Sequence, residues 1–309
     1  MKEENSEQGL SVDWSLINKY NVSGPRYTSY PTALEFQELE TNEPVIDHIK
    51  QRNEQPREIS LYYHIPFCQS LCWYCGCTKV ISRKQGDADT YLDYLDKEME
   101  LTAPLLHSGN RVVQMHWGGG TPSFLSPDQI RRLGRSIHNH FTFDQNAEVS
   151  VELDPRRLTE DHIRAFRESG FNRASLGIQD TNIEVQQAIN RIQPFEQVQR
   201  VVSWIREQGF ESLNVDLVYG LPNQTPERFK KTLDHILAIM PERLAVYSYA
   251  HLPRLMPAQK LINDEELPTS DQKMSLLKMA IEYLTANGYV YIGMDHFPRA
   301  DEELVEALN

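Results

Sequence analysis

From residue 56 almost to the C-terminus, short β-rich runs alternate with longer amphipathic ones, and this alternation restricts the folds open to the chain. The β-rich runs fall near 59–65 (ISLYYHI), 111–117 (RVVQMHW), 147–153 (AEVSVEL), 173–179 (RASLGIQ), 212–218 (SLNVDLV), 243–249 (RLAVYSY) and 289–293 (YVYIG). Helical patterns fill the gaps near 89–106, 126–140, 159–169, 194–208, 226–239 and 271–287. Ser126-Pro127 supplies an N-cap and a first helical residue. Thr159 precedes two acidic residues, the charge a helix start favours. Gly170, Gly209 and Gly288 stand where helices should stop. Repeated strand–helix units predict a parallel sheet with right-handed crossovers.

Parity along the strands separates the two architectures of this class. Val149, Val151 and Leu153 share one face of their run, and Ser150 and Glu152 share the other. Leu213, Val215 and Leu217 oppose Asn214 and Asp216 in the same way, and Leu61, Tyr63 and Ile65 oppose Tyr62 and His64. A flat sheet covered by helices on both sides is apolar on both faces. A barrel-like sheet wide enough to hold ligands shows two different faces. The pattern predicts an α/β fold, an incomplete (β/α) barrel of about six βα units with a polar interior. Any one of the inner polar residues can be a satisfied structural group. Tyr62, Glu152, Gln179 and Asp216 together, near the C-terminal ends of their strands, lie where barrel enzymes keep their sites. Residues 1–55, rich in Gly, Pro, Ser and Tyr over 20–36, read as an irregular N-terminal arm.

The formal charge of −13 disfavours a broad nucleic-acid-binding face, which needs a basic patch. The apolar runs fall well short of the roughly 18 residues that suggest a membrane span. The polar, acidic N-terminus MKEENSEQG resembles neither a secretory signal nor a transit peptide, so a cytoplasmic location is expected.

All four cysteines lie within HIPFCQSLCWYCGCTKV (64–80), spaced C-x3-C-x2-C-x-C, directly after the first strand. In a reducing compartment such a group points to metal or catalysis rather than to disulfides. Structural zinc sites usually combine two separated ligand pairs, which this compact set lacks. Simple thiols need no clustering. A dithiol of Cys72 and Cys75 leaves two cysteines unexplained. A thiolate-ligated iron–sulfur cluster fits the spacing best. A second motif, HWGGGTPSFL (116–125), follows the second strand, and its glycines let backbone approach a ligand closely.

C-x3-C-x2-C with an aromatic residue before the last cysteine resembles the radical S-adenosylmethionine (SAM) superfamily. The fourth cysteine, together with SGPRYTSYPTALEF (23–36), GGGTP, ELDP, LGIQD, NVDLVYGLP and IGMDHF, resembles the oxygen-independent coproporphyrinogen III oxidase family (coproporphyrinogen dehydrogenases), from about residue 15 to the end. The resemblance implies a [4Fe–4S] cluster held by Cys68, Cys72 and Cys75, with one iron left open for SAM. It implies that Tyr62, Gly119 and Glu152 contact this SAM. It implies that Tyr74, Gly120, Thr121, Gln179, Arg191, Asp216 and Ala250 surround a second SAM molecule. Cys77 matches a cysteine needed for activity but not for the cluster.

The implied reaction is oxidative decarboxylation of two propionate side chains of coproporphyrinogen III to vinyl groups, giving protoporphyrinogen IX, through a 5′-deoxyadenosyl radical made from SAM. It belongs to haem biosynthesis and needs a low-potential electron donor. A monomer is expected, with no nucleic-acid partner and no membrane insertion. Asp216 is expected to hold a ribose hydroxyl or the sulfonium side of SAM, and Arg191 to pair with a carboxylate. The expected organisation is an N-terminal arm over 1–55, the partial barrel over 56–297, and at 298–309 the start of a linker to a C-terminal domain absent from this chain. Two alternatives stay open: a related radical SAM haem-handling protein without decarboxylase activity, and a zinc-binding barrel protein.

Overall fold

The computed structural model describes residues 13–20, 31–32 and 35–307. It divides into two compact units, 1–48 and 49–309. In the first, the Asp13 carboxylate accepts from the N–H groups of Ser15 (3.0 Å) and Leu16 (3.1 Å) and so caps α1, Trp14–Tyr20. A second helix, α2, covers Glu43–Gln51. Most of the 23–36 segment lies outside the described residues.

The second unit is built on a seven-stranded sheet. In chain order its strands are β1 (Glu58–Ile65), β2 (Arg111–Gly119), β3 (Phe143–Leu153), β4 (Arg173–Gln179), β5 (Ser212–Tyr219), β6 (Arg243–Ser248) and β7 (His296–Pro298). Neighbours in the sheet are neighbours in sequence, and the first six strands are parallel. A doubly wound sheet reverses its strand order at a switch point. This sheet never does, so right-handed crossovers put its helices on a single face. β7 is antiparallel and ends the sheet beside β6, with no pairing to β1 among the described residues, so the sheet does not close. The incomplete barrel read from strand parity is the observed architecture.

The connecting helices are α3 (Gln85–Thr102), α4 (Pro127–His140), α5 (Glu160–Glu168), α6 (Ile183–Ala188), α7 (Phe195–Glu207), α8 (Pro226–Ile239) and α9 (Ser270–Thr285), with a short α10 at Glu303–Glu306. Ser126 Oγ accepts from the Gln129 N–H while Gln129 Oε1 accepts from the Ser126 N–H, a reciprocal cap that starts α4. Helices α5, α7 and α9 stop next to Gly170, Gly209 and Gly288, all at positive φ. The core lies between helices and sheet. Trp117 on β2 meets Phe171 edge-on, with ring centres 4.8 Å apart, and Phe171 meets Phe166 of α5 at 5.3 Å. Each such fully buried side chain contributes about 1.5–3 kcal/mol. The other face stays polar: Ser150 and Glu152 are half-buried while Val149, Val151 and Leu153 are buried.

Several elements differ from the sequence reading, first among them α1 and α2, which are helical within an arm read as irregular. The run 289–293 forms no strand; only Tyr289 and Gly293 make isolated bridges. Gly293, Met294 and Asp295 all have positive φ and reverse the chain, so that β7 follows at 296–298. Val290 and Ile292 then donate to the carbonyls of Pro298 and His296, making the apolar run the outer arm of a hairpin. The short α6 was also absent from the reading, because six residues fall below the window in which periodicity is legible. Beyond the hairpin, Glu303 pairs with Arg173 and Arg243 at the N-terminal ends of β4 and β6.

Candidate active site

The site lies at the C-terminal ends of the parallel strands. β1 runs into the cysteine loop, which is held from two sides. On one side Gly120 N–H donates to the Ile65 carbonyl and Thr121 N–H to the Phe67 carbonyl, each at 2.9 Å. On the other, Trp73 N–H donates to the Ile189 carbonyl at 3.0 Å, and Asn190 Nδ2 to the Leu71 carbonyl at 2.8 Å. Lys79 Nζ closes the loop from within, donating to the carbonyls of Cys75 (3.3 Å) and Cys77 (3.1 Å). Residues 67–68 and 80–81 pair as a two-residue ladder that brings the loop back on itself.

The glycine motif fits tightly against this loop. A Cβ on Gly120 would stand 2.4 Å from the Pro66 carbonyl oxygen, and Gly119, at φ +117, would press a Cβ into the His64 ring. Only glycine allows the two segments this approach.

None of the four cysteines is in a disulfide. All four line one cavity of about 300 Å³, together with Tyr74, Gly119, Gly120, Thr121, Glu152, Gln179, Arg191 and Asp216. The strands therefore bring all but two of the expected site residues to a single opening. The exceptions sit beside it. Tyr62 stacks on His116, ring centres 5.9 Å apart, and His116 Nε2 is 3.3 Å from Glu152 Oε1. The Ala250 carbonyl accepts from Gln259 Nε2 at 3.1 Å, and the same amide donates to the Tyr74 carbonyl at 3.1 Å.

The sulfurs differ. Burial, then the neighbouring sulfurs of Cys75 and Cys72, pushes the Cys68 thiol up to about 12. A hydrogen bond from Cys77 pulls the Cys75 thiol down to about 6 and pushes the Cys77 thiol up. Among the described residues no three His, Cys, Asp or Glu side chains converge as a single-ion site. Four thiols lining one cavity suit a thiolate-ligated cluster, and two guanidiniums on Cys72 suit a sulfur that becomes anionic. The chain thus fits the implied cluster.

The polar face continues across β3 to β5. Glu152 Oε2 accepts from the Gly119 N–H at 3.2 Å. Asp216 accepts from Ser175 Oγ (3.0 Å) and Asn214 Nδ2 (2.9 Å), yet burial pushes its carboxyl up to about 6. Gln179 ends β4 at φ +66, a left-handed conformation uncommon for glutamine. Arg191 is buried, donates to the Gly177 carbonyl (2.6 Å) and Asp154 Oδ2 (3.2 Å), and has no partner for Nε among the described residues.

Asp154, Arg156, Lys79, His64 and His116 were not picked out as site residues from sequence. Asp154 and Arg156 lie in ELDPRR directly after β3, a strand end in a predicted barrel, and that position was the available signal. Nothing local marked Lys79.

A model of the radical SAM superfamily matches residues 62–236. The oxygen-independent coproporphyrinogen III oxidase of Escherichia coli K12 is 48% identical over 302 residues, covering 98% of this chain and 65% of that protein. The Pseudomonas aeruginosa protein of the same name is 43% identical over 96% of this chain and 65% of its own length. The chain therefore spans about two thirds of these curated relatives. The solved structure of the Escherichia coli coproporphyrinogen III oxidase, described as a radical SAM enzyme, superposes with a TM-score of 0.90 at 46% identity, covering 97% of this chain and 67% of that one.

Proposed function

The chain belongs to the radical SAM superfamily and, within it, to the oxygen-independent coproporphyrinogen III oxidase family, and from that membership we propose that it oxidatively decarboxylates two propionate side chains of coproporphyrinogen III to vinyl groups. The observation that carries the reading is the convergence on one cavity of the cysteine loop with Gly119, Glu152 and Asp216 from three separate strands and strand ends. Cys68, Cys72 and Cys75 would hold the [4Fe–4S] cluster. When bound, the cluster and SAM supply a carbon radical that removes a hydrogen atom from the propionate β-carbon. Carbon dioxide and one further electron then leave each propionate, so the reaction needs an electron acceptor.

The chain's own part is binding and orientation. Glu152, fixed between the Gly119 N–H and His116, offers a carboxylate to an ammonium group. Tyr62 packs on His116 and walls that corner. Tyr74, Gly120, Thr121, Gln179, Arg191, Asp216 and Ala250 border the region assigned to a second SAM. The unpartnered Nε of Arg191 suits a carboxylate there. Asp216, near neutrality in its titration, suits a ribose hydroxyl. Cys77 is exposed beside Cys75 and is assigned to turnover rather than to the cluster. No described helix is long and apolar enough to cross a membrane. The proposed form is a cytoplasmic monomer served by a low-potential electron donor.

The test is anaerobic reconstitution followed by incubation with reductant, SAM and coproporphyrinogen III. The reading expects about four irons and four sulfides per chain, 5′-deoxyadenosine, and protoporphyrinogen IX. Zinc without sulfide would deny the cluster. Deoxyadenosine without porphyrin product would deny the substrate for this chain.

A further inference from the structure

Two guanidinium groups converge on one cysteine sulfur. Arg156 Nη2 stands 3.4 Å from Cys72 Sγ, and Arg191 Nη1 stands 3.5 Å from it. The two arginines are joined through Asp154. Arg156 Nε donates to both carboxylate oxygens (2.9 and 3.0 Å) and Nη2 donates to Oδ2 at 2.6 Å. Arg191 Nη1 reaches the same Oδ2 at 3.2 Å. Burial opposes ionisation of Asp154, but the charges of Arg191 and Arg156 and the hydrogen bonds from Arg156 overcome it, holding this carboxyl well below the usual range. The side chains of Asp154, Arg156 and Arg191 are 16%, 17% and 8% exposed, so solvent screens the group only weakly. Among the described residues no guanidinium donates to Cys68, Cys75 or Cys77, so Cys72 alone is treated this way.

Arg191 has a donor to spare for a ligand. Arg156 lines the same cavity, but its Nε and Nη2 are committed. Its Nε and Nη2 bonds go to Asp154, two residues back in the chain, and its reach beyond that turn ends on Cys72. Asp154 therefore fixes the direction in which Arg156 presents a charged N–H.

We propose that Arg156 is a positioning residue which, oriented by Asp154, sets the reduction potential of the iron–sulfur cluster through the sulfur of Cys72. The inference rests on the cluster assignment given above. One-electron reduction adds negative charge to the cluster and its thiolates. A cationic N–H donor on a ligating sulfur stabilises that charge and raises the potential. A charge-assisted bond of this kind is worth roughly a ten-fold change in the one-electron equilibrium, equivalent to about 59 mV.

The experiment compares wild type, Arg156→Gln and Arg156→Lys after anaerobic reconstitution of the full chain. Iron and sulfide are counted, and the cluster is titrated electrochemically with the reduced state followed by electron paramagnetic resonance. The expected result is full loading in all three, a midpoint shifted to more negative potential in Arg156→Gln by about 59 mV, and a smaller shift in Arg156→Lys, which keeps the charge without the fork. Equal midpoints in fully loaded proteins overturn the inference and leave the cluster assignment standing. If Arg156→Gln fails to load, Arg156→Lys carries the comparison. Failure of both to load while wild type loads assigns Arg156 to assembly and overturns potential tuning. A wild-type protein that takes up no iron and sulfide overturns the cluster assignment itself.

Discussion

The backbone N–H of Cys77 points at the sulfur of Cys75, 3.4 Å away, so the fourth cysteine of the loop supports the third through its main chain. That contact survives any change of the Cys77 side chain. Cys77→Ser is therefore expected to keep the full iron and sulfide content while losing porphyrin product. Cys75→Ala should lose the cluster outright. Iron and sulfide analysis beside product chromatography separates the two, and loss of iron in Cys77→Ser would show that the four thiols are divided wrongly.

Asp216 gives the protein a pH dependence whose sign is fixed. Burial raises its carboxyl to about 6 in the folded state, against about 3.9 in an unfolded chain. Between roughly pH 4 and pH 6 the folded state binds more protons, so stability falls as pH rises through that window and is level above it. Buried Asp180, also raised to about 6 by burial, adds a slope of the same sign. Asp216→Asn removes the first contribution and keeps acceptor and donor capacity toward Asn214 and Ser175. Its unfolding midpoint should match wild type near pH 4. By pH 8 it should exceed wild type by an amount on the order of 3 kcal/mol. An unchanged gap at the two pH values would contradict the assignment.

Gly120→Ala tests the contact between the glycine motif and the cysteine loop. The new methyl would meet the carbonyl oxygens of Pro66 at 2.4 Å and Phe67 at 2.8 Å, both backbone atoms that cannot rotate away. Forcing the segments apart should cost about 1–3 kcal/mol in thermal or urea unfolding. Cluster loading should fall with it, since Cys68 directly follows Phe67. Normal stability together with normal loading would mean that the close approach is dispensable.

Gln179 is held at φ +66, a conformation that costs a non-glycine residue about 1 kcal/mol or more. Gln179→Gly releases that cost but adds freedom to the unfolded chain. The metal-free protein should be unchanged or stabilised by up to about 1 kcal/mol, while binding of SAM to the loaded protein, followed by calorimetry, weakens. A destabilised variant with unaltered SAM binding would assign the amide to the fold instead.

Much of the site was legible because its carriers are local patterns. The cysteine spacing and the GGG turn are contiguous, and alternation on β3 and β5 was enough to set Glu152 and Asp216 on the inner face. The supports of the site were less legible. Lys79 acts on carbonyl groups, which leave no trace in composition, and Gln259, which also holds the Ala250 carbonyl, reaches Tyr74 across 185 positions of chain.

What the sequence by itself determined was periodic or adjacent. It placed the helix caps at Ser126 and Thr159, the six parallel strands with the longer helices between them, the two faces of β1, β3 and β5, and a cysteine-rich loop after the first strand. Each of these rests on steric or hydrogen-bonding preferences within a few residues. Only the tertiary structure decided that the run 289–293 becomes the outer arm of a hairpin, because pairing with β6 selects 296–298 instead. Only it decided that Arg156 and Arg191, 84 and 119 positions from Cys72, meet on that one sulfur. Charges so distant in sequence are brought together by the curvature of the sheet and the paths of its loops, and burial then makes their pairing obligatory.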